Sequence, residues 1–166
     1  SSTRNSNYEL SHDIKDFFDK KTGLSCEVIS LEEFNLPLYT PGLEETFKNS
    51  DSFPEDIKKV KDLLVSSDAL IWCSPEYNGG ISPILTNAIA WISRATEDWK
   101  DGFKGKHSLI CTSSGGNGIN FIKGFKLQLD YLGAQVMDKS IIKTKKKDIE
   151  KNEFLEILGK FYKEIS

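Results

Sequence analysis

Residues 69–80 read Ala69-Leu70-Ile71-Trp72-Cys73-Ser74-Pro75-Glu76-Tyr77-Asn78-Gly79-Gly80. The first five form an unbroken apolar run, the pattern of a parallel strand covered on both faces. Pro, Asn and Gly then mark a turn. Ser82-Pro83 opens a helix whose apolar positions Ile84, Leu85, Ala88, Ile89 and Ile92 recur at helical spacing. The same strand, loop and helix order returns downstream. Residues 108–112 form a second buried strand, Ser113-Ser114-Gly115-Gly116-Asn117-Gly118 a glycine-dense loop, and Ile122, Phe125, Leu129 and Leu132 the stripe of a helix that stops at Gly133.

The flanking segments extend this alternation. Leu10, Ile14, Phe17 and Phe18 share one helical face, with Lys20 and Lys21 at its negative end and Gly23 as its stop. Residues 26–31 read as a short buried strand and residues 32–51 as a long loop. Ser52-Phe53-Pro54-Glu55 has the form of a capping box, with Pro54 at the first helical position. A last strand is expected over residues 136–142. A final helix capped by Asp148 carries Phe154, Ile157, Leu158, Phe161 and Ile165. Alternating strands and helices predict a single α/β domain over residues 1–166, a doubly wound parallel sheet with helices on both faces.

Composition narrows the function classes. A chain of 166 residues fits one domain. Its 22 basic and 25 acidic residues leave a net charge of −3, which removes the global electrostatic argument for nucleic-acid binding. No apolar run approaches the roughly 20 residues needed to span a bilayer, so no membrane partner is expected. Cys26, Cys73 and Cys111 are odd in number and show no paired spacing, the pattern of reduced thiols in a cytoplasmic protein. His12 and His107 are too far apart in sequence to suggest a zinc site. Lys143, Lys145, Lys146 and Lys147 read as a solvated edge.

The chain opens on a polar turn into a helix, with no strand to feed it. In an open sheet of order 2-1-3-4-5 the first strand lies in the middle, and a sheet lacking it would turn two strand edges toward a gap one strand wide. The expectation is therefore a five-stranded sheet whose first strand, mostly apolar, belongs ahead of Ser1.

Ligands of such sheets bind at the carboxyl ends of the strands. Three loops should meet there. In residues 1–7, the hydroxyls of Ser2, Thr3 and Ser6, the amide of Asn7 and the guanidinium of Arg4 can surround a phosphate at a helix start. The same residues would serve equally as helix caps. In the second loop, Pro75 and Gly79 shape a turn, and Glu76, Tyr77 and Asn78 present an edge against which a ring system can lie. An ordinary loop with an incidental tyrosine reads the same way. In the third, Ser113, Ser114, Gly115 and Gly116 let the backbone approach a flat ligand, or simply connect strand to helix.

With these loops in view, the chain resembles the NAD(P)H-dependent FMN reductase family, a flavodoxin-like group that includes quinone, azo-dye and chromate reductases. The resemblance rests on Ser2-Thr3-Arg4, Leu36-Pro37-Leu38-Tyr39, Ser74-Pro75-Glu76-Tyr77-Asn78-Gly79, Asn87-Ala88-Ile89 with Trp91, and Ser114-Gly115-Gly116. It departs from the family pattern at Ser6, which falls two rather than three residues after Arg4, and at Thr86 and Ala90, where a lysine and an aspartate are frequent. The resemblance implies an oxidoreductase with bound FMN, its phosphate held by residues 2–7 and its ring by Glu76, Tyr77, Asn78, Gly79, Ser114, Gly115 and Gly116. It implies a ping-pong mechanism with NAD(P)H as cosubstrate and a small-molecule electron acceptor such as free flavin, a quinone or an azo compound. It also implies a homodimer or homotetramer, with Trp91 and Trp99 as candidate interface rings, Trp91 serving equally as a core residue. No side chain is nominated as a catalytic acid or base. A flavodoxin-type electron carrier, or a binding domain without turnover, are the alternatives of other classes.

Overall fold

The computed structural model describes residues 6–166. Its centre is β2 (His107–Ser114), buried along almost its whole length. On one side lies β1 (Ala69–Cys73), parallel and in register from Ala69 opposite His107 to Cys73 opposite Cys111. On the other side β2 pairs in parallel with two short strands, β3 (Gln135–Val136) and β4 (Ile141–Thr144). Gln135 faces His107 and Ile141 faces Cys111, so six steps along this edge answer four along β2. The two extra residues form a bulge, with Met137 N–H still donating to the Ser108 carbonyl. The single strand expected over residues 136–142 is thus split in two, and among the described residues the sheet has four strands.

Side chains alternate across the sheet as the pleat requires. Leu109, Cys111 and Ile141 pack with Leu10, Ile14 and Phe18 of α1 (Ser6–Lys21) and with Ile157, Leu158 and Phe161 of α6 (Lys151–Ile165). Leu70 and Ile110 point the other way, toward α3 (Glu55–Ser66), α4 (Pro83–Ala95) and α5 (Ile119–Tyr131), where Val60, Ile89, Phe121 and Phe125 are buried. Helices on both faces of a parallel sheet make the doubly wound arrangement, and each fully buried Leu, Ile or Phe contributes roughly 1.5–3 kcal/mol.

Several expectations are corrected. Residues 26–31 do not form a strand, because no neighbouring strand offers them a ladder: among the described residues the backbones of Glu27, Val28 and Ile29 make no hydrogen bond. The loop of residues 32–51 contains α2 (Pro41–Asn49), whose N-cap Thr40 accepts from the Leu43 N–H with Pro41 in the first turn. Ser52 does not cap α3; Pro54 stands at the cap position, and the Ser52 N–H donates to the Phe47 carbonyl. Glu150, not Asp148, precedes α6, while Asp148 accepts from the Ile149 N–H. All three cysteines are free.

Candidate functional site

The loops after β1 and β2 lie at neighbouring carboxyl ends of the sheet, because their strands are paired. Each is shaped by local backbone requirements. Tyr77 and Gly80 exchange both backbone hydrogen bonds, at 3.1 and 2.9 Å, closing a two-residue turn. Its central residues Asn78 and Gly79 have φ of +50° and +71°. Asn-Gly is the pair that tolerates two left-handed residues in succession. Tyr77 is about half exposed at the crest.

Beneath this turn, Ser74 and Pro75 are buried. The Ser74 hydroxyl meets the Ser82 hydroxyl at 3.0 Å, tying the loop to the start of α4. Glu76 turns away from solvent and accepts the Phe121 N–H at 3.0 Å. Its carboxylate therefore sits on the N-terminal turn of α5, where the helix dipole favours negative charge.

The third loop ends in a glycine that the fold demands. Gly118 has φ of +68°, and a Cβ there would lie 2.7 Å from Thr112 Cγ2. Ser113 and Ser114 are buried, while Gly115, Gly116 and Asn117 are exposed. The Ser114 hydroxyl accepts from the Gly116 N–H at 3.4 Å, and Asn117 caps α5 through the Ile119 N–H at 3.1 Å. The Lys145 N–H donates to the Ser114 carbonyl, and its side chain passes over Gly115.

Of the first loop, Ser2, Thr3 and Arg4 lie outside the described residues. Ser6 is the exposed first residue of α1. Asn7 is buried, and its amide forms a reciprocal pair with the Ser113 backbone: Nδ2 donates to the carbonyl and Oδ1 accepts from the N–H, both at 2.7 Å. Asn7 thus braces the start of α1 against the third loop. The structure brings Asn7, residues 75–79 and residues 113–116 to one edge of the sheet.

The chemistry of this edge is that of a cradle. The backbone N–H groups of Asn78, Gly79, Gly115 and Asn117 have no acceptor among the described residues. The glycines leave them uncovered, so the donor set suits the polar rim of a flat heterocycle. Burial pushes the nearby Cys111 thiol well up from its ordinary range, which keeps it in the unreactive thiol form. Among the described residues no cluster of three or more His, Cys, Asp or Glu could hold a metal ion.

Two residues of the sequence motif hold a neighbouring loop. Asn87 accepts the Tyr39 N–H at 2.8 Å and donates to the Pro37 carbonyl at 3.0 Å. Trp91 Nε1 donates to the same Pro37 carbonyl at 2.6 Å. The Trp91 ring is fully buried among Tyr39, Phe47 and Phe53, so it packs the core of one chain. Trp99 is the more exposed ring, tilted against Tyr131 under the Lys100 ammonium. The clamp on residues 36–39 escaped the sequence reading. Its signal, a polar residue and a tryptophan one helical turn apart on α4, also fits ordinary surface positions.

The family described as NADPH-dependent FMN reductase matches residues 1–147. This chain belongs to the NADPH-dependent FMN reductase family. It is 32% identical over 94 residues to the NAD(P)H-dependent FMN reductase PA1204 of Pseudomonas aeruginosa, covering 57% of this chain and 45% of that protein. To the NADPH:quinone oxidoreductase of Arabidopsis thaliana it is 31% identical over 96 residues, covering 58% of this chain and 44% of that one. The matches thus span about half the length of these curated relatives. In structure it resembles FerB, a flavoenzyme NAD(P)H:(acceptor) oxidoreductase from Paracoccus denitrificans, with a TM-score of 0.75, 20% identity, and coverage of 99% of this chain and 90% of that one. That likeness carries the flavodoxin-like fold. No described helix is long and apolar enough to cross a membrane.

Proposed function

We propose that this chain binds FMN at the edge formed by residues 2–7, 75–79 and 113–116, and acts as an NAD(P)H-dependent reductase of small acceptors such as quinones, azo compounds or free flavin. The observation that carries the reading is the glycine-enforced row of unpartnered N–H donors on two adjacent strand ends, in a chain of the FMN reductase family. Asn78, Gly79, Gly115 and Gly116 would meet the ring through their backbones, with Pro75 and Glu76 shaping the turn from below. Tyr77 would wall one side. Ser2, Thr3, Arg4 and Ser6 would take the phosphate at the N-terminus of α1, with Arg4 offsetting its charge. Asn7, Ser113 and Ser114 would hold the first and third loops in place.

When bound, FMN supplies two-electron chemistry between a nicotinamide and an acceptor. The chain's part is to place the two reactants in turn on one exposed face, which makes the kinetics ping-pong. No side-chain acid or base is required. A homodimer or homotetramer in the cytoplasm completes the proposal.

The test is anaerobic mixing of FMN-saturated protein with NADH and with NADPH, followed at the flavin absorbance band. Bleaching by a nicotinamide alone, and parallel-line kinetics with a quinone, support the reductase. Bound flavin that bleaches only with an added reductase would indicate an electron carrier. Failure to retain FMN on gel filtration would overturn the proposal.

A further inference from the structure

The end of β4 carries the densest positive charge of the chain, beside the third loop. Lys143, Lys145, Lys146 and Lys147 stand within five residues that include no acid, in a chain of net charge −3. Lys143 is held by Asp148 at 3.4 Å. Lys145, Lys146 and Lys147 are exposed, and none has an ion-pair partner among the described residues. The carboxylate of the neighbouring edge, Glu76, is turned down onto the Phe121 N–H and does not offset them. Like charges gathered so closely repel one another, and a bound anion relieves that repulsion.

The backbone fixes where these lysines stand. The Thr144 N–H donates to the Lys147 carbonyl at 2.9 Å, and the Lys147 N–H donates back to Thr144 Oγ1 at 2.9 Å, which closes a turn. The Lys145 N–H donates to the Ser114 carbonyl at 3.3 Å, carrying the β4–β2 pairing one step past Thr144. That bond ties the turn to the third loop at the carboxyl edge of the sheet. The Lys145 side chain lies along Gly115, its Cε 4.0 Å from where a Cβ of that residue would stand. The N–H groups of Gly115 and Asn117, without acceptors among the described residues, belong to the same loop. Three free ammonium groups therefore border the edge assigned to the flavin ring.

We propose that the turn of residues 144–147 is a phosphate subsite for the nicotinamide cosubstrate, where Lys145, Lys146 and Lys147 take the 2′-phosphate that separates NADPH from NADH. This assignment rests on the reductase reading for its substrate. Quinones and azo compounds need bring no compact charge to such a rim. Both nicotinamide dinucleotides bring a pyrophosphate, and NADPH adds a phosphomonoester of about −1.5 to −2 charge at neutral pH. A compact dianion with three acceptor oxygens suits several separate ammonium groups, each a point charge on a flexible stem. One short turn is too small a track for a nucleic-acid backbone, which is held by many phosphate contacts in a row.

The test titrates 2′,5′-ADP and 5′-AMP into the FMN-saturated protein, or into the chain alone should it retain no flavin, and reads binding by calorimetry. The 2′-phosphate should tighten binding by about tenfold, the sum of several exposed charge pairs. That advantage should shrink with added salt, and again as pH falls through about 6, where the phosphate loses a charge. The triple variant Lys145→Gln, Lys146→Gln, Lys147→Gln should lose it, and the corresponding triple arginine variant should keep it. In turnover, the ratio of kcat/KM for NADPH to that for NADH should fall about tenfold in the glutamine variant, through KM. Equal affinity for the two nucleotides, or an advantage that survives the glutamine variant, would overturn the proposal. So would loss of a preference for FMN over riboflavin in that variant, which would give the lysines to the flavin phosphate. Should the triple variant fail to fold, Lys146→Gln with Lys147→Gln leaves the Lys145 contact with Gly115 intact and should still lose most of the advantage. Failure to retain FMN would sink the reductase reading, while the nucleotide titration still reads the subsite.

Discussion

At the scale of single residues, two positions, Asn7 and Gly118, fix the third loop. Asn7 satisfies both backbone groups of Ser113, and each would otherwise be buried without a partner. Asn7→Ala should cost about 1–3 kcal/mol in urea unfolding, the penalty of stranding buried polar groups. Asn7→Asp should also destabilise, since a carboxylate accepts from the Ser113 N–H but cannot donate to its carbonyl; stability equal to the parent would contradict the brace. Gly118 is held by two separate demands, its left-handed φ and the approach of Thr112. Gly118→Ala should cost roughly 1–3 kcal/mol. Adding Thr112→Ser removes the methyl that collides and should recover only part of that loss, which a denaturation midpoint will read. The loop composition around both positions was legible in the sequence. The role of Asn7 as a brace was not, because its partner lies 106 residues away.

Among the elements, the junctions rather than the interiors carry the site. Glu76 on the loop after β1 caps α5, so one carboxylate couples the second and third loops. Glu76→Ala should destabilise by about 1 kcal/mol, as loss of a helix cap does. It should also speed exchange of the Phe121 amide, with Glu76→Gln milder because its carbonyl still accepts; an unchanged Phe121 amide would remove Glu76 from this role. A second junction centres on Glu44 of α2. It takes Lys48 at 2.6 Å and the Tyr39 hydroxyl at 2.5 Å, with Arg94 of α4 at 3.6 Å. These partners, the Lys48 hydrogen bond first, hold its carboxyl below the ordinary value of 4.5. A lowered folded-state value means the ionised form stabilises the fold above the ordinary range, and that stabilisation drains as pH falls through the lowered value. The stability gap between the parent and Glu44→Gln should therefore be present at neutral pH and close in acid. A gap that persists at the acid end would contradict this. Periodicity located α1, α3, α4, α5 and α6, whereas α2 passed as loop because its signal is a Thr-Pro start with little apolar stripe behind it.

For the whole molecule, the cofactor proposal predicts a linkage. A ligand bound only by the folded state stabilises it by about 2.7 kcal/mol at one hundred times its dissociation constant. FMN should raise the melting temperature in step with its concentration, while riboflavin, lacking the phosphate, should do so far less. Equal effects of the two would argue against a phosphate site at the start of α1. The α/β alternation, the two buried strands and the placing of the loops at strand ends followed from the sequence alone. Periodicity and turn chemistry are local properties, written within a few residues of where they act. What the tertiary structure decided was pairing. Residues 26–31 have the composition of a strand yet remain outside the sheet, and the expected strand over residues 136–142 breaks at a bulge. A strand exists only through the hydrogen bonds of its neighbour, so its fate is settled by chain far away in sequence. For the same reason Asn7, Glu76 and Trp91 acquire their work only when distant backbone groups reach them.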